Sequence, residues 1–166
     1  MIKIRKLKYK DIPFMLEWMH DSETKSIFQH NFSSIDERKA AKFIDNSYTM
    51  EDMHFAIVDD KNDEYLGTIS LKHIDYKNHN AEYAISTRKK VRGSGIAQKS
   101  TELILDYAFN NLDLHKVYLN VLSSNKRAIS FYKKIGFEYE GCFKEFLKIG
   151  ESYKDLEWYA IYNKQV

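Results

Sequence analysis

Arg88-Lys-Lys-Val-Arg-Gly-Ser-Gly-Ile-Ala97 is the stretch of sequence that decides the fold. It follows a β-prone run at residues 81–87 and leads into a segment whose apolar residues recur at helical spacing. Gly93 and Gly95 adopt positive φ at little cost, so successive backbone N–H groups can point into one concavity. The N-terminus of the following helix adds partial positive charge, and the basic side chains add full charges. The stretch therefore predicts a loop that binds a diphosphate.

The residues around this loop also bear on other interpretations of it. An ordinary tight turn that caps a helix would also carry two glycines. A dinucleotide-binding fingerprint needs a third glycine where Gln98 stands, and the Gly-Lys-Ser/Thr of a nucleotide-binding P-loop is absent. A nucleic-acid patch is the remaining alternative, built from the basic residues Arg88, Lys89, Lys90 and Arg92.

The N-terminal third of the chain predicts one strand and two helices. Ile2 and Ile4 alternate with basic residues as in a strand, and Asp11 offers an N-cap to a helix with Pro13 in its first turn. Ser34-Ile-Asp-Glu37 resembles a capping box and predicts a second helix that ends near Tyr48. The apolar sides of the two helices are predicted to be Ile12, Met15, Leu16 and Met19, and Ala40, Phe43, Ile44 and Ser47.

The rest of the chain predicts a strand-rich unit with two more helices. Residues 55–58, 65–71 and 81–87 form an antiparallel meander between turn-rich segments, and a helix then runs to near Asn110. After a strand at residues 117–122, a helix begins at Asn125 and ends at Gly136, with Ala128, Phe131, Tyr132 and Ile135 as its apolar stripe. Residues 137–148 and 153–161 form a closing hairpin. We expect one domain over residues 1–166.

Composition narrows the class of protein. The 166 residues carry 43% hydrophobic and 14% aromatic residues, enough for one packed core, and a net charge of +2 does not indicate a nucleic-acid surface. Cys142 is the single cysteine, and the histidines lack metal-ligand spacing, so neither an intrachain disulfide nor a metal site is expected. No run approaches the roughly 20 apolar residues that cross a bilayer. A soluble cytoplasmic protein without nucleic-acid or membrane partners is expected.

Two motifs give the chain a resemblance to the GNAT acetyltransferase superfamily. Lys90-Val-Arg-Gly-Ser-Gly95 fits its pyrophosphate loop, Gln/Arg-x-x-Gly-x-Gly/Ala, except that Lys90 replaces the usual Gln or Arg. Asn125-Lys-Arg-Ala-Ile-Ser-Phe-Tyr-Lys-Lys-Ile-Gly-Phe137 resembles its second signature, Asn-x-x-Ala-x-x-x-Tyr-x-x-x-Gly-Phe. Gly141-Cys-Phe-Lys-Glu145 and Gly150-Glu-Ser-Tyr-Lys-Asp155 are typical of the branch with ribosomal-protein N-terminal, spermidine and amino-sugar acetyltransferases.

The resemblance implies a fold and a co-substrate. The fold is an α+β structure with a central, mixed and mostly antiparallel sheet of about seven strands, splayed to admit acetyl-CoA, and about four helices on both faces. No metal is implied. The residues that the resemblance places against acetyl-CoA are Ile85, Ser86, Thr87, Lys90, Arg92, Gly93, Ser94, Gly95, Ile96, Ala97, Gln98, Asn125, Ala128 and Tyr132.

The resemblance also implies catalytic and acceptor residues, each with a plainer alternative. Tyr132 would protonate the departing thiolate, or would belong only to the apolar stripe of its helix. The first alternative is preferred, because Phe131 takes the core role of that stripe more naturally. Glu82 would bind or deprotonate the amine, or would be a solvated strand residue. Asn125 would contact the coenzyme, cap its helix, or do both. Glu17, Trp18 and Phe28 would border the acceptor, or lie in the core or on the surface.

The implied activity is direct transfer of an acetyl group to a primary amine in a ternary complex. A small-molecule acceptor is preferred, either a polyamine or a nucleotide-linked amino sugar, because Leu16-Glu-Trp-Met-His-Asp21 resembles the early helix of sugar-modifying members. A protein N-terminus as acceptor is the first alternative. A non-catalytic sensor of acyl-CoA is an alternative of another class. Whether the protein forms a homodimer stays open.

Overall fold

A single seven-stranded sheet organises the computed structural model, which describes residues 1–27 and 32–164. The strand order is β1-β2-β3-β4-β5-β7-β6, and β4 and β5 form the parallel pair among antiparallel neighbours. The strands are β1 Ile2–Lys6, β2 Met53–Asp59, β3 Tyr65–Asp75, β4 Asn80–Thr87, β5 Lys116–Leu122, β6 Glu138–Ile149 and β7 Ser152–Tyr162. The predicted mixed, mostly antiparallel sheet is confirmed.

Helices cover both faces of this sheet. The α-helices of the described ranges are α1 Ile12–Met19, α2 Ser22–Ile27, α3 Glu37–Asp45, α4 Ile96–Asp106 and α5 Lys126–Ile135. Helices α1 and α3 pack over β2 and β3 in one apolar cluster, whereas α4 and α5 belong to the larger core on the opposite face. None of these helices has the length and apolar content needed to span a membrane.

The sheet opens between its two central strands. Strands β4 and β5 pair only over Asn80↔Lys116, Ala81↔Val117 and Glu82↔Tyr118, and beyond Glu82 they no longer pair. On its other side β4 stays paired with β3 as far as Thr87. A Cβ at Gly67 of β3 would lie 2.4 Å from the carbonyl oxygen of Ser86, so glycine permits this close approach. The predicted splay is therefore confirmed, with its vertex at Glu82.

Two helix caps differ from the prediction: Asp11 stands at the N-cap position of α1 without a side-chain cap, and Ser34 does not cap α3. Asp11 does not cap α1 with its side chain, because its carboxylate accepts hydrogen bonds from the Arg5 guanidinium at 2.8 and 2.9 Å. Asp36, not Ser34, caps α3, and its carboxylate accepts from the Lys39 N–H at 2.8 Å. The Asp11 carboxylate therefore has a charged partner that is stronger than the backbone N–H of a cap.

The inward face of α5 also differs from the prediction. Ile129, which the predicted stripe omits, is the buried residue of this helix, while Ala128, Tyr132 and Ile135 are partly buried against the core. Phe131 is half-buried and its ring lies 5.5 Å from that of Tyr132. Phe131 therefore does not take the core role that was expected of it, whereas the predicted left-handed C-cap at Gly136 is confirmed at φ 118°.

Acid should destabilise the protein through His54. Its ring packs on Phe43 at 4.7 Å and its Nδ1 lies 2.7 Å from the Ser70 hydroxyl. Burial lowers the pKa of His54 to about 4, against about 6.5 for a free histidine. Below pH 6.5 the unfolded chain binds the proton first, so the free energy of unfolding falls by about 3 kcal/mol as the pH drops to 4.

Urea unfolding at pH 7 and pH 4.5 checks this prediction. The His54→Asn variant should lose less stability between the two pH values than the wild type, although it is less stable at pH 7. His20→Asn, at an exposed histidine, is the matched control and should lose as much stability between the two pH values as the wild type does. An equal loss in His54→Asn and the wild type would rule out His54 as the cause.

Candidate active site

The predicted anion-binding loop has the backbone conformation that its glycines were expected to give. Gly93 has φ +80° and Gly95 has φ +84°, and a Cβ on either residue would meet no heavy atom within 4 Å. The positive φ therefore favours glycine at both positions, and no neighbouring atom crowds the place of a Cβ. The Ser94 hydroxyl donates to the Val91 carbonyl at 2.5 Å and so holds the bend.

Unpaired backbone donors line this loop. Helix α4 makes its first hydrogen bond from the Lys99 N–H to the Gly95 carbonyl at 3.0 Å. Within the described part of the chain, the N–H groups of Gly93, Gly95, Ala97 and Gln98 have no hydrogen-bond partner. Orphan donors at the start of a helix are a binding site for phosphate oxygens. These residues fit the diphosphate that the sequence predicts.

The basic side chains of the loop are already paired with carboxylates. Arg92 donates to Glu23 and lies 3.7 Å from Asp21, and Lys90 donates to Glu64. A bound phosphate would have to replace these carboxylates. The unpaired backbone donors are therefore the groups of the loop that meet an anion without losing a partner.

Arg88 supports the fold beside the loop instead of facing an anion. Its guanidinium holds both carboxylate oxygens of Glu17, at 2.9 and 3.2 Å, and donates to Glu64 at 2.9 Å and to the Tyr65 carbonyl at 3.2 Å. It also lies over the Phe14 ring, 4.5 Å from its centroid. Because Arg88 is buried and its charge is matched, the nucleic-acid alternative loses one of its four cations.

The residues predicted to border the acceptor are not gathered at one place. Glu17 is held by Arg88, and Trp18 is buried, where its Nε1 donates to the Tyr65 hydroxyl at 2.9 Å. No described contact joins either side chain to Glu82. Phe28 lies outside the described residues. The acceptor role of these three residues gains no support here and stays a prediction.

The strand predicted to pair with the coenzyme has a free edge. Ile85, Ser86 and Thr87 pair with Ile69, Thr68 and Gly67 of β3 on one side. Their other side faces the gap, where β5 has moved away. In an antiparallel pair, backbone groups alternate between the two sides of a strand. The splayed half of β4 therefore presents main-chain donors and acceptors to the gap.

Glu82 lies at the vertex of this gap in a polar cluster. One carboxylate oxygen accepts from Asn120 Nδ2 at 3.0 Å and from Lys72 Nζ at 3.3 Å, while the other lies 3.4 Å from His73 Nε2. The side chain is only 14% exposed. The alternative of a solvated strand residue does not fit this burial.

Tyr132 reaches the core from the other face of the sheet. Its ring lies edge-on to Tyr83 at 6.0 Å and to Phe137 at 5.9 Å. Burial raises the pKa of Tyr132 to about 12, so the phenol keeps its proton at neutral pH. Within the described residues its hydroxyl has no hydrogen-bond partner.

Glu82 and Tyr132 approach the gap from opposite faces. Consecutive residues of a strand point to opposite sides, and Tyr83, the neighbour of Glu82, packs against Tyr132. The Tyr83 hydroxyl lies 2.7 Å from that of Thr101, on the face that carries α4. A molecule held between β4 and β5 would therefore have a carboxylate on one side and a phenol on the other.

The remaining predicted cofactor residues lie along α4 and α5. Asn125 caps α5, since its side chain accepts from the Ala128 N–H at 3.2 Å, and this confirms one of its two expected roles. Ile96 packs against the core, and the Gln98 side chain donates to Glu102 at 3.2 Å. Contact between these residues and a coenzyme stays a prediction.

The sequence analysis missed the polar cluster and the depression beside it. Asn120 and Lys72, which hold Glu82, were not singled out. A depression of about 410 Å³ adjoins them, lined by Asn80, Lys116, Tyr118, Glu140 and Trp158. The polar residues at alternate positions of β5, Tyr118 and Asn120, could have indicated a polar face, because one side of a strand carries every second residue.

The family can be stated from a comparison with known domains. The model of the acetyltransferase (GNAT) domain matches residues 2–138. The chain belongs to the GNAT acetyltransferase family. The predicted family membership is therefore confirmed, and the splayed β4–β5 pair and the glycine loop occupy the positions that this GNAT domain was expected to give them.

Several relatives of this GNAT domain are spermidine acetyltransferases by name. The chain is 34% identical over 101 residues to spermidine N(1)-acetyltransferase of Vibrio cholerae and 32% identical over 102 residues to that of Escherichia coli. The alignments cover 61% of this chain, and 58% and 55% of those relatives. The crystal structure of the Vibrio cholerae enzyme with CoA and spermine superposes with a TM-score of 0.88 at 25% identity, over 97% of this chain and 95% of that one.

Proposed function

We propose that this protein transfers the acetyl group of acetyl-CoA to a primary amine of a small molecule, with polyamines as the favoured acceptor class. The observation that carries the proposal is the opening between β4 and β5, with unpaired N–H donors at one end and Glu82 at its vertex. The named activity of relatives at 34% and 32% identity favours a polyamine over an amino sugar.

The loop and the splayed strand would hold the co-substrate. Acetyl-CoA supplies the acetyl group as a thioester. The N–H groups of Gly93, Gly95, Ala97 and Gln98 would donate to its diphosphate oxygens, and Arg92 would add charge after releasing Glu23. The free edge of Ile85, Ser86 and Thr87 would hydrogen-bond the rest of the molecule within the gap.

Glu82 would accept a proton from the incoming ammonium. An amine attacks a carbonyl carbon only as the neutral base, so a carboxylate at the vertex is well placed to take that proton. Asn120 and Lys72 hold one oxygen of Glu82, and the oxygen near His73 has no other partner among the described contacts. That second oxygen is the one we assign to the amine.

Tyr132 would supply a proton on the opposite face. Its hydroxyl would donate to the sulfur that leaves, and its raised pKa keeps that proton available at neutral pH. Glu82 and Tyr132 thus act on different reacting atoms. Their placement on opposite faces supports one direct transfer without a covalent acetyl-protein stage.

Acetyl-CoA is expected to raise the melting temperature strongly. A ligand at 100 times its Kd stabilises the folded state by about 2.7 kcal/mol, which raises the melting temperature of a domain of this size by about 5–10 °C.

Free-thiol release is then measured with spermidine, a nucleotide-linked amino sugar and a ribosomal-protein N-terminal peptide. Turnover with spermidine is the expected result.

Each other outcome of that assay favours a different hypothesis. Turnover with the peptide alone would replace the polyamine by a protein N-terminus, and turnover with the amino sugar alone would favour the sugar class. Stabilisation by acetyl-CoA without turnover of any acceptor would favour the acyl-CoA sensor. The absence of any thermal shift at millimolar acetyl-CoA would contradict the proposed activity.

A further inference from the structure

The depression next to Glu82 is large enough to receive part of an acceptor. Its volume is about 410 Å³, and Tyr118, one of its lining residues, is the register partner of Glu82. Burial, and then the charge of Glu82, raise the pKa of Tyr118, in agreement with their adjacent positions in the β4–β5 register. The depression is therefore continuous with the polar cluster at the vertex of the gap.

Its far wall carries a second carboxylate. Glu140 of β6 shares the face of Lys116 and Tyr162, since it bonds to both. Between the backbones of Glu82 and Glu140 lie three strand spacings, about 14 Å. Tyr118 and Trp158 lie between them with ring centroids 6.2 Å apart. Two carboxylates separated by aromatic rings form a surface suited to a molecule with an ammonium at each end.

The second carboxylate already holds an ammonium from this chain. Lys116 Nζ lies 2.5 Å from one oxygen of Glu140, and the Tyr162 hydroxyl donates to the other. The hydrogen bond from Lys116, together with that from Tyr162, lowers the pKa of Glu140, so the pair is charged at neutral pH. The two side chains are 31% and 32% exposed, so solutes reach them from the depression.

We propose that Lys116 is a specificity-determining residue, whose ammonium occupies the Glu140 carboxylate where the remote ammonium of a longer polyamine would otherwise bind. This inference rests on the proposed acetyltransferase function and deepens it. Because Lys116 neutralises Glu140, the remote ammonium of a polyamine gains little there in the wild-type protein, and spermidine is bound and acetylated through its other amine near Glu82. Removal of the Lys116 charge frees Glu140 for the acceptor.

The test is a comparison of acceptor preference between charge variants. The ratio of kcat/KM for spermidine to kcat/KM for butylamine is measured for the wild type, Lys116→Gln and Lys116→Arg. We expect the ratio to rise about fivefold in Lys116→Gln, the effect of one partly exposed charge pair, and to stay at the wild-type value in Lys116→Arg. Adding Glu140→Gln to Lys116→Gln should abolish the gain.

Lys3→Gln is the matched control, because Lys3 forms a strand ion pair with Asp60 at 3.6 Å near the other edge of the sheet. An unchanged ratio in Lys116→Gln, or an equal gain in Lys3→Gln, would overturn the inference.

Calorimetry of spermidine binding separates failure of this inference from failure of the proposed function. Tighter binding to Lys116→Gln, lost again with Glu140→Gln, supports the role of Lys116 even without turnover, and equal binding to all variants contradicts it.

Discussion

The Tyr132→Phe variant should lose about 100-fold or more in kcat while its KM for acetyl-CoA stays near the wild-type value. The substitution removes only the hydroxyl, and the ring keeps its edge-on contacts with Tyr83 and Phe137. The leaving sulfur then departs without a proton donor, which raises the barrier of the transfer but leaves ground-state binding intact. Thiol-release kinetics at saturating acetyl-CoA measure the effect.

The pH profile gives a second test of Tyr132. Its pKa is about 12, so the phenol holds its proton up to strongly alkaline pH, and the wild-type rate should show no fall due to Tyr132 between pH 7 and pH 10. Tyr139→Phe, at an exposed tyrosine of β6, is the matched control and should keep the wild-type kcat. If Tyr132→Phe equals the wild type at every pH, Tyr132 only fills the apolar stripe of α5.

The strands were predictable because their pattern is local. The alternation of Ile2 and Ile4, and the three β-prone runs between turn-rich segments, are properties of neighbouring residues, and each run became a strand. The side-chain cap at Asp11 was not, because that carboxylate bonds to Arg5, which lies outside the capping pattern. Arg5 engages Asp11 and also Asp63, 58 residues away, and no pattern around Asp11 reveals that competition. The six-residue α2 was missed because so short a segment shows no period.

The two halves of the candidate site also differ in how far the sequence predicts them. Two glycines before a helix specify the loop by backbone conformation, so its geometry was predictable from ten residues. The proposed acceptor side consists of Lys72, Glu82, Asn120 and Glu140, which four different strands contribute. The prediction for Glu17 illustrates the difficulty, because Arg88, 71 residues away, takes its carboxylate.

The sheet explains how a carboxylate and a phenol could serve the proposed reaction together. Strand alternation places Glu82 and Tyr83 on opposite faces, and Tyr132 packs on Tyr83, on the face opposite Glu82. A continuous sheet would separate the two groups completely. Because β5 leaves β4 immediately after Glu82, both faces open onto one gap. The loss of pairing at this point would therefore let one bound molecule meet both side chains, as the proposed mechanism requires.

The Gly95→Ala variant should raise the KM for acetyl-CoA by about 100-fold, the equivalent of one or two lost charge-assisted hydrogen bonds. Gly95 has φ +84°, where a residue with a Cβ is strained by about 1–2 kcal/mol, so the loop would relax and turn its donors away. In the relaxed loop, the neighbouring N–H groups of Gly93, Ala97 and Gln98 would no longer point toward the diphosphate. Steady-state kinetics and the thermal shift with acetyl-CoA measure the loss.

Gly141→Ala is the control that separates this effect from a general cost of adding a methyl group. Gly141 lies in β6 without positive φ, and a Cβ there would also meet no heavy atom within 4 Å. Its KM for acetyl-CoA and its thermal shift should match the wild type. If Gly95→Ala binds acetyl-CoA as well as Gly141→Ala does, the left-handed bend does not orient the N–H donors. The basic side chains alone would then hold the diphosphate, because they are the other anion-binding groups of the loop.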